Sequence, residues 1–435
     1  MGIRLRRALL PGLFLWFCTQ GIASAQNPDE WPILHNTNHL SFSATTKLKP
    51  PLKVKWVTKI HSVVQNPGPV VGGGKVIIND ERGTIYCLDA ETGELVWRYF
   101  VKKVGGGGLA LQAGTAGTTS PCIWNGRVYA VFSSKGWPNL NGMRCFDLKT
   151  GQVLWKENWA GYVEARIKYS PQVAGGRIFL CSNVDVNRSS YAVGNYNVKA
   201  QVQCWDAMTG DSLWTYTMWD TECQNTTLLV VGDTVFASVG VLRDASGGKT
   251  VVFDLNGNVR WSSTVHHVSS YLGNLQYLPG QLWMLCAGTQ NATKILNTSD
   301  WSVRLSGGGG DEYSKVNAIM NGKYWNRTYN QAPVCYNASD GKQILTARTY
   351  NSETFTSGCS IPVAANGYIY EGFGSPSAGN EASGGHKWCA WDESGNPVWS
   401  FQVASNCCPP LAIAYDKLYA VTGADGLVYC FENAQ

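Results

Sequence analysis

Residues Cys87–Trp97 read CLDAETGELVW, and the chain writes the same stretch again at Cys145–Trp155 (CFDLKTGQVLW) and Cys204–Trp214 (CWDAMTGDSLW). In each copy β-prone residues run into an Asp, a Thr-Gly pair follows, and the return stretch carries a Trp at a fixed offset. This reads as a hairpin in which Gly supplies the positive φ that other residues resist and the returning strand ends in a large indole. Looser copies extend the series: VFDLNGNVRW (Val252–Trp261), CYNASDGKQIL (Cys335–Leu345), CAWDESGNPVW (Cys389–Trp399) and a last one cut short at CFENAQ.

A chain of 435 residues could form two or three domains, but a repeat overrides that division, because each copy contributes one piece of a single architecture. Gly (48) and Trp (18) are plentiful and charged residues make up only 15%, a balance that suits tightly turned, aromatic-packed sheet. A net charge of +5, with basic residues scattered, points to neither nucleic acid nor acidic lipid as partner. At the N-terminus, Arg4, Arg6 and Arg7 precede an apolar run from Ala8 to Cys18, and Ala23-Ser24-Ala25 offers small residues for cleavage. Residues 1–25 are therefore expected to be a cleaved signal peptide, too short in its apolar run to span a bilayer, and the protein is expected in the periplasm or secreted. Residues 26–50 read as an irregular segment, and 51–435 as one propeller domain.

Each unit opens with an apolar strand and turn, as in Ser120–Ser133 and Ser170–Asn183, and closes with the Trp hairpin, which makes four strands per unit. Eight units follow, of which the eighth lacks its outermost strand. An unassigned strand, LKVKWVTKI (Leu52–Ile60), stands before the first unit. A ring of blades leaves an open edge unless first and last interlock, so this strand is expected to complete the last blade. The predicted fold is an all-β, eight-bladed β-propeller of four-stranded antiparallel blades. A β-solenoid has shorter coils and needs no shared strand. Seven blades remain if the degenerate fifth unit, Leu272–Leu305, is not a blade.

The Asp-x-x-Thr-Gly-x-x-x-Trp pattern resembles the tryptophan-docking motif of the pyrroloquinoline quinone (PQQ) repeat propellers, the quinoprotein alcohol dehydrogenase-like family, over Trp31–Gln435. The opening DEWPILHNTNH is similar to the start of exported members. The resemblance implies that Trp97, Trp155 and Trp214 stack on peptides of the neighbouring blade. It implies the fold more strongly than a function, because many such propellers bind no quinone, an outer-membrane assembly lipoprotein among them. At the residue two before the motif Asp, where the family has a small Ala, this chain places Cys87, Cys145 and Cys204, and the same phase is read for Cys389 and Cys430.

These cysteines fall on different blades and read as buried small residues, and no CxxC or paired Cys/His spacing offers a metal site. Cys407-Cys408 stands apart: the resemblance links adjacent cysteines to a vicinal ring over the cofactor, while a bridge from Cys408 to Cys359 is an equal alternative. Axial-mouth candidates come from the links between blades. They are Glu164, Arg166 and Lys168, Asp220 and Glu222, His266 and His267, Asp311 and Glu312, and His61. The cofactor-contact candidates are Cys407, Cys408, Glu164, Arg166, Glu222 and Asp311. Two functions stand. One is a non-catalytic, monomeric scaffold without cofactor that presents its axial face and loops to a protein, peptide or glycan. The other is a PQQ- and Ca²⁺-dependent dehydrogenase of a small alcohol or sugar. The incomplete site and the absence of a CxxCH cytochrome motif favour the first.

Overall fold

The structure is a computed structural model and describes residues 27–34, 36, 40–60, 64, 67–80, 83–100, 116–118, 120–134, 142–158, 171–184, 199–219, 228–241, 244–266, 274–286, 292–307, 317–326, 332–348, 361–374, 386–405, 407 and 409–434. Every regular element among them is a strand, and they form eight sheets. Blade 1 runs outward as Val70–Gly72, Lys75–Asn79, Thr84–Asp89 and Leu95–Phe100. Blades 2 to 7 repeat that order, with inner strands Cys122–Trp124, Gln172–Ala174, Leu229–Val231, Asn274–Leu278, Ala318–Met320 and Val363–Ala365. The fifth unit is a complete blade that ends in Val303–Gly307, which fixes the number at eight. Blade 8 is built from Ala412–Ala414, Lys417–Val421 and Leu427–Asn433, and its outermost strand is the N-terminal Leu52–Lys59, paired antiparallel from Leu52 opposite Asn433 to Lys59 opposite Leu427.

The Trp hairpins share one geometry because they share one turn. The Asp89 carboxylate accepts the N–H groups of Glu91 (3.0 Å) and Thr92 (3.1 Å), while Gly93, at φ +75°, donates to the Asp89 carbonyl at 2.9 Å. An Asp side chain that mimics a backbone acceptor followed by a left-handed Gly makes the bulged turn that Asp-x-x-Thr-Gly encodes. Cys87 then lies opposite Trp97, Cys145 opposite Trp155, and Cys204 opposite Trp214, with the register slipping immediately after each pair. Cys430 holds the same place opposite Trp56. Cys389 does not: Ala390 pairs with Trp399, so Cys389 is one residue out of phase and faces the opposite side of its sheet.

The indoles form the joints between blades. Trp56 lies on Gly93, Trp97 on Gly151, Trp155 on Gly210 and Trp214 on Gly257, so close that a Cβ on any of these glycines would come within 2.5–2.8 Å of the ring. Each indole N–H also crosses the interface, to the carbonyls of Ala90 (3.2 Å), Leu148 (2.9 Å), Ala207 (3.2 Å) and Leu255 (3.0 Å). The acceptor is always the residue after the turn Asp. Leu305 on Gly341 and Leu345 on Gly395 replace the indole at two further joints. Between blades 4 and 5 the glycine itself is replaced. Trp301 occupies its place at φ +61°, and Trp261 stacks on that ring with centroids 4.2 Å apart and planes 11° from parallel.

The segment read as irregular is ordered by the blades. Trp31 exchanges both backbone bonds with Val71 at 2.8 Å, and Ile123 donates to the Pro32 carbonyl at 2.8 Å. Ile319 donates to Leu40 at 3.0 Å, and Phe42–Ser43 runs parallel to the inner strand of blade 7. The segment thus touches blades 1 and 2, then 6 and 7, on the face made by the strand-to-strand turns.

The turn carboxylates carry a pH dependence. A hydrogen bond from the Lys75 ammonium holds Asp89 below its usual pKa, the Thr150 hydroxyl does the same for Asp147, and the Asn258 amide for Asp254. A carboxyl with a folded pKa below its unfolded value stabilises the fold above the unfolded value and loses that contribution as pH falls. The melting temperature is therefore expected to drop as pH falls from about 4 towards 2, the range in which free Asp protonates. Asp147→Asn should lower the melting point at neutral pH and flatten this acid slope, and a slope identical to that of the parent chain would contradict the assignment.

Candidate functional site

The inner strands lie side by side around the axis, those of blades 8, 1, 2, 3, 4 and 5 in sequence and those of 6, 7 and 8 likewise. The links between blades leave from the face opposite the turns, and the polar side chains described there hold neighbouring blades together. Ser120, fully buried ahead of the inner strand of blade 2, accepts the Gly68 N–H at 2.8 Å from blade 1. Gln276 of blade 5 clamps the backbone of Asn317 ahead of blade 6, donating to its carbonyl at 2.7 Å and accepting its N–H at 3.2 Å. Gly68 sits where a Cβ would press on Pro410 of blade 8 at 2.9 Å and on Leu34 of the N-terminal segment at 3.2 Å.

Asn317 has a second property. Its side-chain amide is buried, and among the described residues neither its oxygen nor its nitrogen has a hydrogen-bond partner. A buried amide left so costs about 1–3 kcal/mol per group, which a water, ion or ligand would recover. An amide oxygen is also a donor that Ca²⁺ accepts, so this position fits the amide part of a calcium cage. Sequence reasoning missed Asn317, Gln276 and Ser120, since each is a single polar residue outside any motif.

Of the sequence-predicted contacts, Glu164, Arg166, Glu222, Asp311 and Cys408 lie outside the described residues, as do Lys168, Asp220, His267, Glu312, His61 and Cys359. Cys407 is described: it is wholly buried between blades 7 and 8, its thiol is free, and it packs against Gly372, where a Cβ would meet the Cys407 carbonyl at 2.5 Å. His266 is half-buried, with its N–H bonded to the Ser263 hydroxyl at 2.9 Å at the end of blade 4. The structure brings none of the described candidates into one cluster.

Burial closes the described cysteines of the repeat to chemistry. Burial pushes the thiols of Cys87, Cys204 and Cys430 up to about 12 and those of Cys145 and Cys335 up to about 11. Such groups hold almost no thiolate at neutral pH, and Cys122, Cys389 and Cys407 are buried as well. Among the described residues no three His, Cys, Asp or Glu side chains gather as a metal-binding group, and no helix is long and apolar enough to cross a membrane.

A family profile described as "Outer membrane protein assembly factor BamB" matches residues 53–216 and 144–284, which together span more than half of the chain. Two curated relatives match shorter stretches. The tetrathionate hydrolase of Acidithiobacillus ferrooxidans is 28% identical over 137 residues, 30% of this chain and 24% of the hydrolase. The outer membrane protein assembly factor BamB of Yersinia pestis is 26% identical over 136 residues, 30% of this chain and 31% of that protein. Less than a third of either relative is therefore matched. Among solved structures, a europium-containing methanol dehydrogenase superposes with a TM-score of 0.69 at 12% identity, covering 93% of this chain and 98% of the other. BamB from Moraxella catarrhalis gives 0.59 at 14%, covering 88% and 99%. At such identities the likeness is one of fold.

Proposed function

This chain belongs to the PQQ-repeat β-propeller family, and we propose that within it the protein is an exported, non-catalytic scaffold that offers its loop face to a protein, peptide or glycan partner. The observation that carries this reading is the use made of the polar side chains beside the axis. Ser120 and Gln276 are engaged in fastening one blade to the next, and Cys407 is packed inside a joint. These three described side chains are thus committed to holding a rigid disc, which supports a structural use of the axis. The match to an assembly-factor profile supports the same reading.

One observation favours a second reading, a PQQ- and Ca²⁺-dependent dehydrogenase: the unpartnered Asn317 amide at the start of an inner strand. When bound, PQQ would supply the two-electron oxidation, and Asn317 would contribute an amide oxygen to its Ca²⁺. The experiment that separates the readings is a titration of the folded, secreted protein with PQQ and CaCl₂, followed by melting temperature and absorbance. We expect no saturable shift. Stoichiometric binding that raises the melting temperature, with dye reduction on a primary alcohol or aldose, would replace the scaffold reading by the second. For the scaffold, exchange of the loops Asn183–Asn197 and Gly372–His386 for short Gly-Ser turns should abolish capture of a defined partner while the melting point is kept.

A further inference from the structure

An inner strand of a propeller has one edge paired to its own blade and one edge turned to the axis, where its N–H groups need other acceptors. On the turn face of this disc the N-terminal segment supplies them. Val71, Ile123, Ile319, Ala364 and Tyr415, from blades 1, 2, 6, 7 and 8, donate to the carbonyls of Trp31, Pro32, Leu40, Ser41 and Asp29 at 2.7–3.0 Å. Blades 2 and 6 face one another across a ring of eight, so Pro32 and Leu40 lie on opposite sides of the axis. Trp31, Ile33, Leu34 and Leu40 are buried there, and Leu34 reaches the level of Gly68, beyond the far end of the inner strand of blade 1.

Both ends of the crossing are pinned. At its start the Glu30 carboxylate accepts the Gly73 N–H and the Tyr415 hydroxyl, both at 2.9 Å. At its end the Asp416 carboxylate accepts the Lys47 N–H (2.5 Å) and the Thr46 hydroxyl (3.2 Å). Tyr415 is held at φ +52°, in a turn where blades 1 to 4, 6 and 7 use Gly or Asn at the same step, and its backbone N–H and its hydroxyl both bind this segment.

We infer that the described residues of this segment, 27–34, 36 and 40–49, are a fixed stopper of the axial channel, which gives the disc a single mouth. A ligand of the axis enters and leaves through the loop face, and no linear polymer, peptide or glycan, threads the ring. The inference is independent of whether the loop face binds a partner or a cofactor.

Hydrogen exchange of the full chain tests it. The amides of Val71, Ile123, Ile319 and Ala364 should exchange within about tenfold of the sheet amides of Tyr86 and Phe146, because they open only with the ring. Exchange about a hundredfold faster than those amides would show a segment that lifts away, and would overturn the stopper. Thiol alkylation gives a second readout. Cys122 is buried in the same cluster as Ile33, whereas Cys204 lies in a cluster without this segment. In Ile33→Gly/Tyr415→Phe, N-ethylmaleimide should modify Cys122 about tenfold faster than in the parent chain, with Cys204 unchanged. Equal rates at Cys122 in both chains, or equal acceleration at both cysteines, would overturn it. Should the variant fail to fold, the exchange measurement on the unaltered chain decides alone.

Discussion

A chain lacking Leu52–Lys59 is expected to be recovered as aggregate or not at all, with no folded monomer on size exclusion. The deletion strips blade 8 of its outermost strand and leaves Leu427–Asn433 as a bare edge. It also removes two joints at once. Trp56 no longer covers Gly93 or donates to Ala90, and Trp399 loses its acceptor, the Leu52 carbonyl at 2.9 Å. The charges at this seam add little of their own. Lys55 lies between Glu91 and Glu432, Lys53 meets Glu432 at 3.5 Å and Lys417 meets Glu91 at 3.1 Å, and exposed pairs of this kind contribute about 0–1 kcal/mol each. Losing one buried indole alone costs about 3–5 kcal/mol. Two lost joints and an open edge approach the roughly 5–15 kcal/mol that hold a domain folded. A monomeric deletion variant with the parent denaturation midpoint would refute the interlocked ring.

Trp97→Ala should destabilise the disc by about 3–5 kcal/mol, the ordinary cost of truncating a buried aromatic. Leu213→Ala, at a side chain 45% exposed on an outermost strand, should stay within about 0.5 kcal/mol of the parent. The indole is locked from both sides: its N–H donates to Leu148 at 2.9 Å, it stacks near Phe146 with centroids 5.9 Å apart, and its ring lies on Gly151. Gly151→Ala should therefore also destabilise, by placing a Cβ 2.6 Å from that ring at φ +72°. The double variant should lose less than the sum, because removing the indole removes the clash. Equal urea midpoints for Trp97→Ala and Leu213→Ala would show that the joint does not bear stability.

The blades were legible because one turn chemistry recurs. An Asp whose carboxylate accepts backbone N–H groups two to four residues further on, followed by Gly at positive φ, marks the hairpins of blades 1 to 4 and 7 and sets the Trp after it. Where a single residue broke that pattern, the reading slipped. Cys389 looked in phase with Cys87 by its letters, but Trp391 fills the position just before the Asp and Ala390 takes the place opposite Trp399. The blade 5 hairpin looked degenerate because Trp301 stands where Gly belongs, yet it closes the same turn, with its N–H on the Asn297 carbonyl at 2.9 Å.

The N-terminal segment was illegible for a different reason. Its hydrogen bonds run to five different blades, one or two at a time, so no strand period builds up along it. The axis was harder still. Clamps such as Ser120 to Gly68 and Gln276 to Asn317 join residues about forty or more apart through single side chains, which leave no spacing to read. The charged candidates were chosen by their place in the links between blades. That placement says which face they leave from and not which of them meet.

The strand that closes the ring also sets the order in which the protein can form. Leu52–Lys59 precedes blade 1 in the chain, and its ladder partner, Leu427–Asn433, follows blade 7. Blades 1 to 7 take all four of their strands from contiguous sequence and can condense as they emerge, through contacts short in sequence. The first strand must wait, unpaired, while the seven blades between are made. Ring closure is then the slowest and most non-local step, and the interval before it is when an apolar edge stands open to other chains. Yield from a cell is governed by how that interval is passed, more than by the stability of the finished disc.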